Sequence, residues 1–294
     1  MTRIEEFGWR GELTPGIGRV VSAHGDYYHL VCNEAEGEIL ARKKKSAYTR
    51  MKSVAPVDMK GLKGSEIRAG EPMRPITGDF VRFRYNAQGD SMILETLPRF
   101  SHFERKDPSA RRQEQTLAVN FDTLFIMMSL NENFSIPRVE RFLDLAADVG
   151  EAEMYIVLTK VDLREPGDED FIGELKDTIA GRAGYLEISS LTGQGLDAVR
   201  AIAAPGRTLA FIGSSGVGKS TLLNTLAGEE WAAVQEVQEW SGKGRHTTTS
   251  RELVMLPSGA MIIDTPGIRE IGRLGEIEDV QVKGEYSHRW RNKG

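Results

Sequence analysis

The stretch Gly213-Ser214-Ser215-Gly216-Val217-Gly218-Lys219-Ser220 constrains this chain more than any other. It fits G-x-x-x-x-G-K-[ST], follows the apolar run 208–212 and opens onto 221–226, where leucines recur at helical spacing. A strand before and a helix after are the context that a phosphate-binding loop requires. Glycines let the backbone curl, so that successive N–H groups and the helix N-terminus face phosphate oxygens. Gly213, Ser214, Ser215, Gly216, Val217, Gly218 and Thr221 then make up the cradle, Lys219 reaches the β and γ oxygens, and Ser220 binds Mg²⁺. The competing reading, a Gly/Ser-rich turn with no ligand, does not account for both flanks.

Around this loop the chain alternates between strand and helix signals. Residues 122–128 read as a buried strand, 137–149 as a helix opened by proline, 155–158 as a strand, 171–180 as a helix and 185–189 as a strand. A short helix at 195–203 and strands at 208–212, 253–256 and 261–264 complete a mostly parallel sheet covered on both faces. The N-terminal part differs: short β-rich runs at 18–22, 27–31, 37–41, 79–84 and 92–96 are separated by turn signals at Gly25-Asp26, Gly78-Asp79 and Gly89-Asp90. Such strands, with no long helix among them, suggest a small barrel. Within it, residues 42–52 carry Arg42, Lys43, Lys44, Lys45, Arg50 and Lys52 with Tyr48 and no acid, either a phosphate-backbone contact or a solvated loop. The polar, proline-broken stretch 99–116 reads as a linker, giving a barrel at 1–98, an α/β domain at 117–274 and a tail at 275–294.

Length and composition agree with that division. At 294 residues, 40% hydrophobic and 28% charged, the chain is long enough for two domains and ordinary for a globular protein. A net charge of −5 argues against a uniformly basic nucleic-acid coat. The N-terminus lacks the apolar run of a signal peptide, and no stretch reaches roughly 18 apolar residues, so a soluble cytoplasmic protein with no membrane partner is expected.

Three further segments narrow the nucleotide. Asp264-Thr265-Pro266-Gly267 ends the strand run 261–264, where an aspartate can hold Mg²⁺ and a glycine N–H can sense a γ-phosphate. Thr159-Lys160-Val161-Asp162 resembles the N/T-K-x-D guanine box. Asp162 would accept hydrogen bonds from the ring N1–H and exocyclic amine of guanine, a pair of donors that adenine lacks, and the stem of Lys160 would lie along the base. Thr159 stands where asparagine is commoner, which leaves open one side-chain hydrogen bond to the base or to the phosphate loop. Ser189, Ser190 and Leu191 form the short segment expected to back guanine O6.

In ordinary GTPases the phosphate loop comes first and the guanine boxes last; here the boxes at 159–162 and 187–192 precede the loop at 213–220. The chain is circularly permuted. Barrel, linker, T-K-V-D, S-S-L, G-S-S-G-V-G-K-S, G-R-H-T-T-T and D-T-P-G-I-R-E, in that order over about residues 16–272, resemble the ribosome small-subunit-dependent GTPase A (RsgA) family. The resemblance implies an OB-fold barrel before an α/β P-loop GTPase domain, binding of GTP and GDP with Mg²⁺, and low intrinsic GTP hydrolysis stimulated by the small (30S) ribosomal subunit. It also implies rRNA as a contact and late maturation of that subunit as the task; a monomer is expected. Arg99, Arg105, Lys106, Arg111 and Arg112 add to the basic residues available for RNA.

The segment Gly242-Lys243-Gly244-Arg245-His246-Thr247-Thr248-Thr249 resembles the family's switch I. Thr248, with Thr247 next, is the expected Mg²⁺ ligand alongside Ser220 and Asp264. Ile268 follows Gly267 where many GTPases place a water-orienting glutamine, so His246 is the candidate catalytic group with Lys219 and Thr248. A different reading keeps the RNA-binding barrel but makes the nucleotide domain an occupancy switch of negligible turnover. Relatives in this family carry zinc on three cysteines and a histidine after the GTPase domain. The single cysteine here, Cys32, lies in the barrel and His288 has no thiolate company, so zinc ligands are not identifiable and the tail 275–294 reads as a remnant or replacement of that module.

Overall fold

A computed structural model describes residues 1–43, 74–105, 115–130, 134–214, 216–228 and 252–264. The parallel part of the sheet comes from β8 (Thr123–Ser129), β9 (Glu153–Thr159), β10 (Gly184–Glu187), β11 (Thr208–Gly213) and β13 (Met261–Asp264). Its spatial order is β10-β9-β8-β11-β13, with β12 (Glu252–Met255) antiparallel beside β13. Strand β8 shows why the sequence read as a continuous apolar run. Leu124, Ile126 and Met128 face the layer of α2 (Ile136–Leu145) and α3 (Asp168–Ile179), while Phe125 and Met127 pack toward α4 (Leu196–Ile202) and α5 (Lys219–Ala227). A strand buried on both faces has no polar side to alternate with. Each such side chain fully withdrawn from water contributes about 1.5–3 kcal/mol.

The N-terminal strands are β1 (Ile17–His24), β2 (Tyr27–Cys32), β3 (Ile39–Lys43), β4 (Phe80–Arg84) and β5 (Ser91–Thr96). They run β1-β2-β3-β5-β4, and a β1–β4 pairing closes the ring, with only β3 and β5 parallel. This is the strand order of an OB-fold. Val20, Tyr28, Leu30, Cys32, Ala41, Val81, Phe83 and Ile93 fill its interior. The one-turn helix α1 (Arg3–Glu6) and Trp9 bring Ile4 and Trp9 onto Ile17, Phe80 and Leu97 at a second, smaller core.

Part of the stretch expected to be linker is sheet. β6 (His102–Arg105) pairs antiparallel with β7 (Gln115–Val119), and Phe103 and Leu117 are buried in the α2/α3-side core. Overall polarity hid the alternation: Glu104 carries its charge outward and accepts from the Thr116 hydroxyl at 2.9 Å, while its neighbour Phe103 points in.

Barrel and nucleotide sheet share hydrogen bonds. A bulge between Val20 and Ser22 re-aims the end of β1, and Ser22 pairs with Glu252 of β12. Beneath that seam lies Arg19, whose guanidinium is fully buried. It donates to the carbonyls of Phe7 at 2.6 Å, Asn120 at 2.7 Å and Gly78 at 3.3 Å, and to the Thr208 hydroxyl at 2.9 Å. Burial, with Arg10 nearby, pulls its pKa below the ordinary arginine value, and Asp79 opposes the shift. Asp79 is itself held by Nε and Nη2 of Arg99, each at 2.8 Å. Asn120 takes a left-handed φ of 52° and joins the same cluster, accepting from Phe100 N–H and donating to Gly78 O. Among the described residues, no helix is long and apolar enough to cross a membrane.

Candidate functional site

Register brings the motifs to one edge of the sheet. Gly213 of β11 lies opposite Met127 of β8, Met127 opposite Val157 of β9, and Val157 opposite Leu186 of β10. The next few residues of β9, β10 and β11 are therefore the carboxyl ends where open α/β sheets bind ligands. Asp264 ends β13 at the same edge, next to that row.

The glycines of the phosphate loop answer to different demands. At Gly213 a Cβ would lie 2.5 Å from Met127 O, so the close approach of β11 to β8 excludes any side chain. Gly216 and Gly218 adopt left-handed φ values of 75° and 93°, which turn the chain into α5. Ser214 and Val217 are buried, whereas Ser220 and Thr221 are exposed on the first turn of α5, where orphan N–H groups and the helix dipole favour an anion. Lys219 Nζ donates to Gly213 O at 2.5 Å and Ser214 O at 2.8 Å, so the ammonium is held over the loop it would serve. These conformations fit a bound phosphate chain.

The base-reading box sits beside that loop and is bonded to it. Thr159 Oγ1 donates to Val217 O at 2.7 Å, which settles the bond left open by the sequence in favour of the phosphate loop. Lys160 takes φ 58° and ψ 36°, an uncommon left-handed conformation for a side-chain-bearing residue. It leads into the 3-10 turn Val161–Leu163, on which Asp162 is exposed with no hydrogen-bond partner among the described residues.

Ser189 departs from expectation. It is fully buried, its N–H donates to Gln194 O at 3.0 Å, its hydroxyl accepts from Thr192 N–H at 3.1 Å and its carbonyl from Gly193 N–H at 2.9 Å. Its polar groups shape the loop. The N–H groups of Ser190 and Leu191 have no acceptor among the described residues, and Leu191 is 85% exposed.

Two charged residues that sequence reading passed over flank these segments. Arg164, two residues beyond Asp162, reaches Glu187, two residues before Ser189. Arg164 sits just outside the first box, and Glu187 opens the second. Ser215, His246, Thr247, Thr248, Gly267 and Ile268, the side chain of Asp264, residues 44–52 and the tail 275–294 lie outside the described residues.

A family model described as RsgA GTPase matches residues 96–274. The chain belongs to the RsgA GTPase family. Relatives named small ribosomal subunit biogenesis GTPase RsgA include one from Leptospira interrogans, 36% identical over 291 residues, which spans 95% of this chain and 74% of the relative. Another, from Lactiplantibacillus plantarum, is 38% identical over 258 residues, spanning 87% of this chain and 66% of the relative. Among solved structures, YjeQ from Thermotoga maritima aligns with a TM-score of 0.59 at 22% identity, covering 87% of this chain and 76% of that one. YloQ, a circularly permuted GTPase, aligns with a TM-score of 0.51 at 22% identity, over 85% and 70%. These structures bear out the fold class: an OB-type barrel followed by a circularly permuted GTPase domain. As an RsgA GTPase the chain is a GTP hydrolase, and its nucleotides are GTP and GDP.

Proposed function

We propose that this chain binds the small ribosomal subunit and its rRNA and hydrolyses GTP in the late maturation of that subunit. The observation that carries the nucleotide part is the Thr159–Val217 hydrogen bond, which joins the base-reading box to the phosphate loop at one sheet edge. The names of the relatives support the partner.

Asp162 accepts from guanine N1–H and the 2-amine, Lys160 covers the base with its stem, and the free N–H groups of Ser190 and Leu191 meet O6. Ser189 holds their loop. Residues 213–218 and Thr221 wrap the phosphates, and Lys219 exchanges its two carbonyl partners for β and γ oxygens, better acceptors for an ammonium than neutral carbonyls. Ser220, Thr248 and Asp264 are the proposed Mg²⁺ ligands. A magnesium ion held by them would supply positive charge against the phosphate oxygens. Gly267 senses the γ-phosphate. His246 orients the attacking water or takes its proton, since Ile268 cannot. With an apolar residue at that position, intrinsic turnover is low and the subunit supplies the stimulus.

The barrel is the proposed RNA contact. Tyr27, Arg42, Met92 and Arg84 lie in register across β2, β3, β5 and β4, all four are exposed, and the Arg42 guanidinium sits 4.4 Å from the centre of the Tyr27 ring. An exposed aromatic beside guanidinium groups suits an unstacked base and a phosphate backbone. The protein acts as a cytoplasmic monomer.

The deciding experiment is GTP turnover titrated with purified small subunits, with ATP as competitor. Turnover should rise with subunit concentration, and ATP should compete poorly. Equal competition by ATP would remove the guanine reading. GTP binding without stimulated turnover would favour the second reading, an RNA-binding barrel with an occupancy switch, to which Ile268 lends support.

A further inference from the structure

The segments that read the base belong to different strands, and backbone pairing between them stops short of the site. Leu158 pairs with Glu187, Ile188 N–H donates to Leu158 O at 2.8 Å, and Val161 N–H donates to Ile188 O at 3.3 Å. Beyond that bond no backbone hydrogen bond joins the 3-10 turn with Asp162 to the loop with Ser190 among the described residues. A side-chain pair ties the far side of the turn back to the end of β10. Arg164 Nη2 donates to Glu187 Oε2 at 2.6 Å, while Glu187 Oε1 accepts from the Tyr185 hydroxyl at 2.9 Å and lies 3.8 Å from Lys176 Nζ. That ammonium also sits 5.1 Å from the centre of the Tyr185 ring. Both carboxylate oxygens are therefore engaged, and the Tyr185 phenol, its pKa raised by burial and by Glu187, stays protonated as a donor.

The loop is folded tightly on the same residue. Gly195, at φ 72°, comes so close that a Cβ there would lie 1.9 Å from Glu187 O. The loop therefore packs its backbone directly on the Glu187 carbonyl.

We infer that Arg164 and Glu187 form a positioning pair for guanine selectivity, fixing the distance between Asp162, which reads N1–H and the 2-amine, and the Ser190–Leu191 backbone, which reads O6. The inference rests on the assignment of those two segments as the guanine contacts. Hydrogen-bond lengths tolerate only a few tenths of an ångström, so a base touched on both edges discriminates only while the two readers keep their spacing. In this proposal Arg164 and Glu187 act through the segments that they hold and not on the base. Their side chains are 33% and 22% exposed, so the effect is that of a partly screened pair, about two- to fivefold.

The test uses the full chain and displacement of a fluorescent guanine nucleotide by GTP, ITP and ATP. ITP keeps O6 and N1–H and lacks the 2-amine that Asp162 reads. Arg164→Gln and Glu187→Gln should each lower the GTP-over-ATP and GTP-over-ITP preferences about fivefold, and the double variant little further, because the Arg164–Glu187 ion pair is already lost in either single variant. Tyr185→Phe, which keeps the ion pair and deletes one hydrogen bond, should produce a smaller loss of the same kind. General loosening of the fold would weaken all three nucleotides together and leave the ratios alone, so unchanged ratios in both single variants would overturn the inference, as would strictly additive losses in the double. A wild-type chain that does not prefer GTP over ATP would overturn instead the guanine assignment on which the pair depends.

Discussion

A hydroxyl that donates to a carbonyl 2.7 Å away is fixed in one rotamer, and for Thr159 that carbonyl is Val217 O of the phosphate loop. Thr159→Val keeps the shape and removes the donor, so nucleotide binding should weaken by about 1 kcal/mol, roughly fivefold in Kd, read by titration with a fluorescent GDP. Motif spacing marked Thr159 as part of the site; its partner lies 58 positions further along the chain, a contact no local pattern encodes. Ser189 shows the converse. The motif put it against the base, whereas its three hydrogen bonds go to Thr192, Gly193 and Gln194, because a serine at the start of a tight loop meets local backbone groups before any ligand. Cys32 is the third residue with a measurable consequence. Burial in the barrel interior pushes its thiol up to about 11 from an ordinary 9.0. The fold therefore favours the neutral thiol; the stability this contributes is present in full below pH 9.0 and fades as pH rises through about 11. At pH 8 a disulfide reagent should label Cys32 in denatured protein within minutes and leave native protein nearly untouched; equal rates would show that the site opens readily.

Among the elements, the buried strands and their covering helices were the most legible, since a strand enclosed on both faces, such as β8, must be apolar throughout and leaves an uninterrupted run. The β6–β7 hairpin was not, because its buried residues Phe103 and Leu117 are outnumbered by charged neighbours and the strands pair, Phe103 with Ala118, across a long gap in sequence. The β11–α5 turn allows a sharper prediction. Gly213→Ala drives a methyl group into Met127 O and should cost about 2–4 kcal/mol in denaturant unfolding. Gly216→Ala meets nothing within 4 Å and is disfavoured only by its left-handed φ of 75°, so about 1 kcal/mol is expected. Similar losses at both positions would mean that the approach of β11 to β8 relaxes easily.

At the scale of the whole molecule, the seam between barrel and nucleotide sheet depends on a charge that the sequence disguised. Arg19 lies in a β-rich run where a basic residue reads as solvent-facing, yet it contacts segments around residues 7, 78, 120 and 208, and only their assembly buries it. Arg19→Met would leave the carbonyl oxygens of Phe7 and Asn120 without this donor and Gly78 O with Asn120 alone, and should lower stability by about 3–5 kcal/mol in urea titration. A loss under 1 kcal/mol would mean that water replaces the guanidinium at little cost. The bulge in β1 has a practical corollary for building chimaeras. Because the strand that closes the barrel also pairs with β12 through Ser22 and Glu252, the smallest transplantable piece is larger than the barrel. A graft taken from a relative would have to bring its own residue at position 19 together with the turn at Gly78, and find matching acceptors at Phe7, Asn120 and Thr208, or the join would leave polar groups stranded in a dry interface.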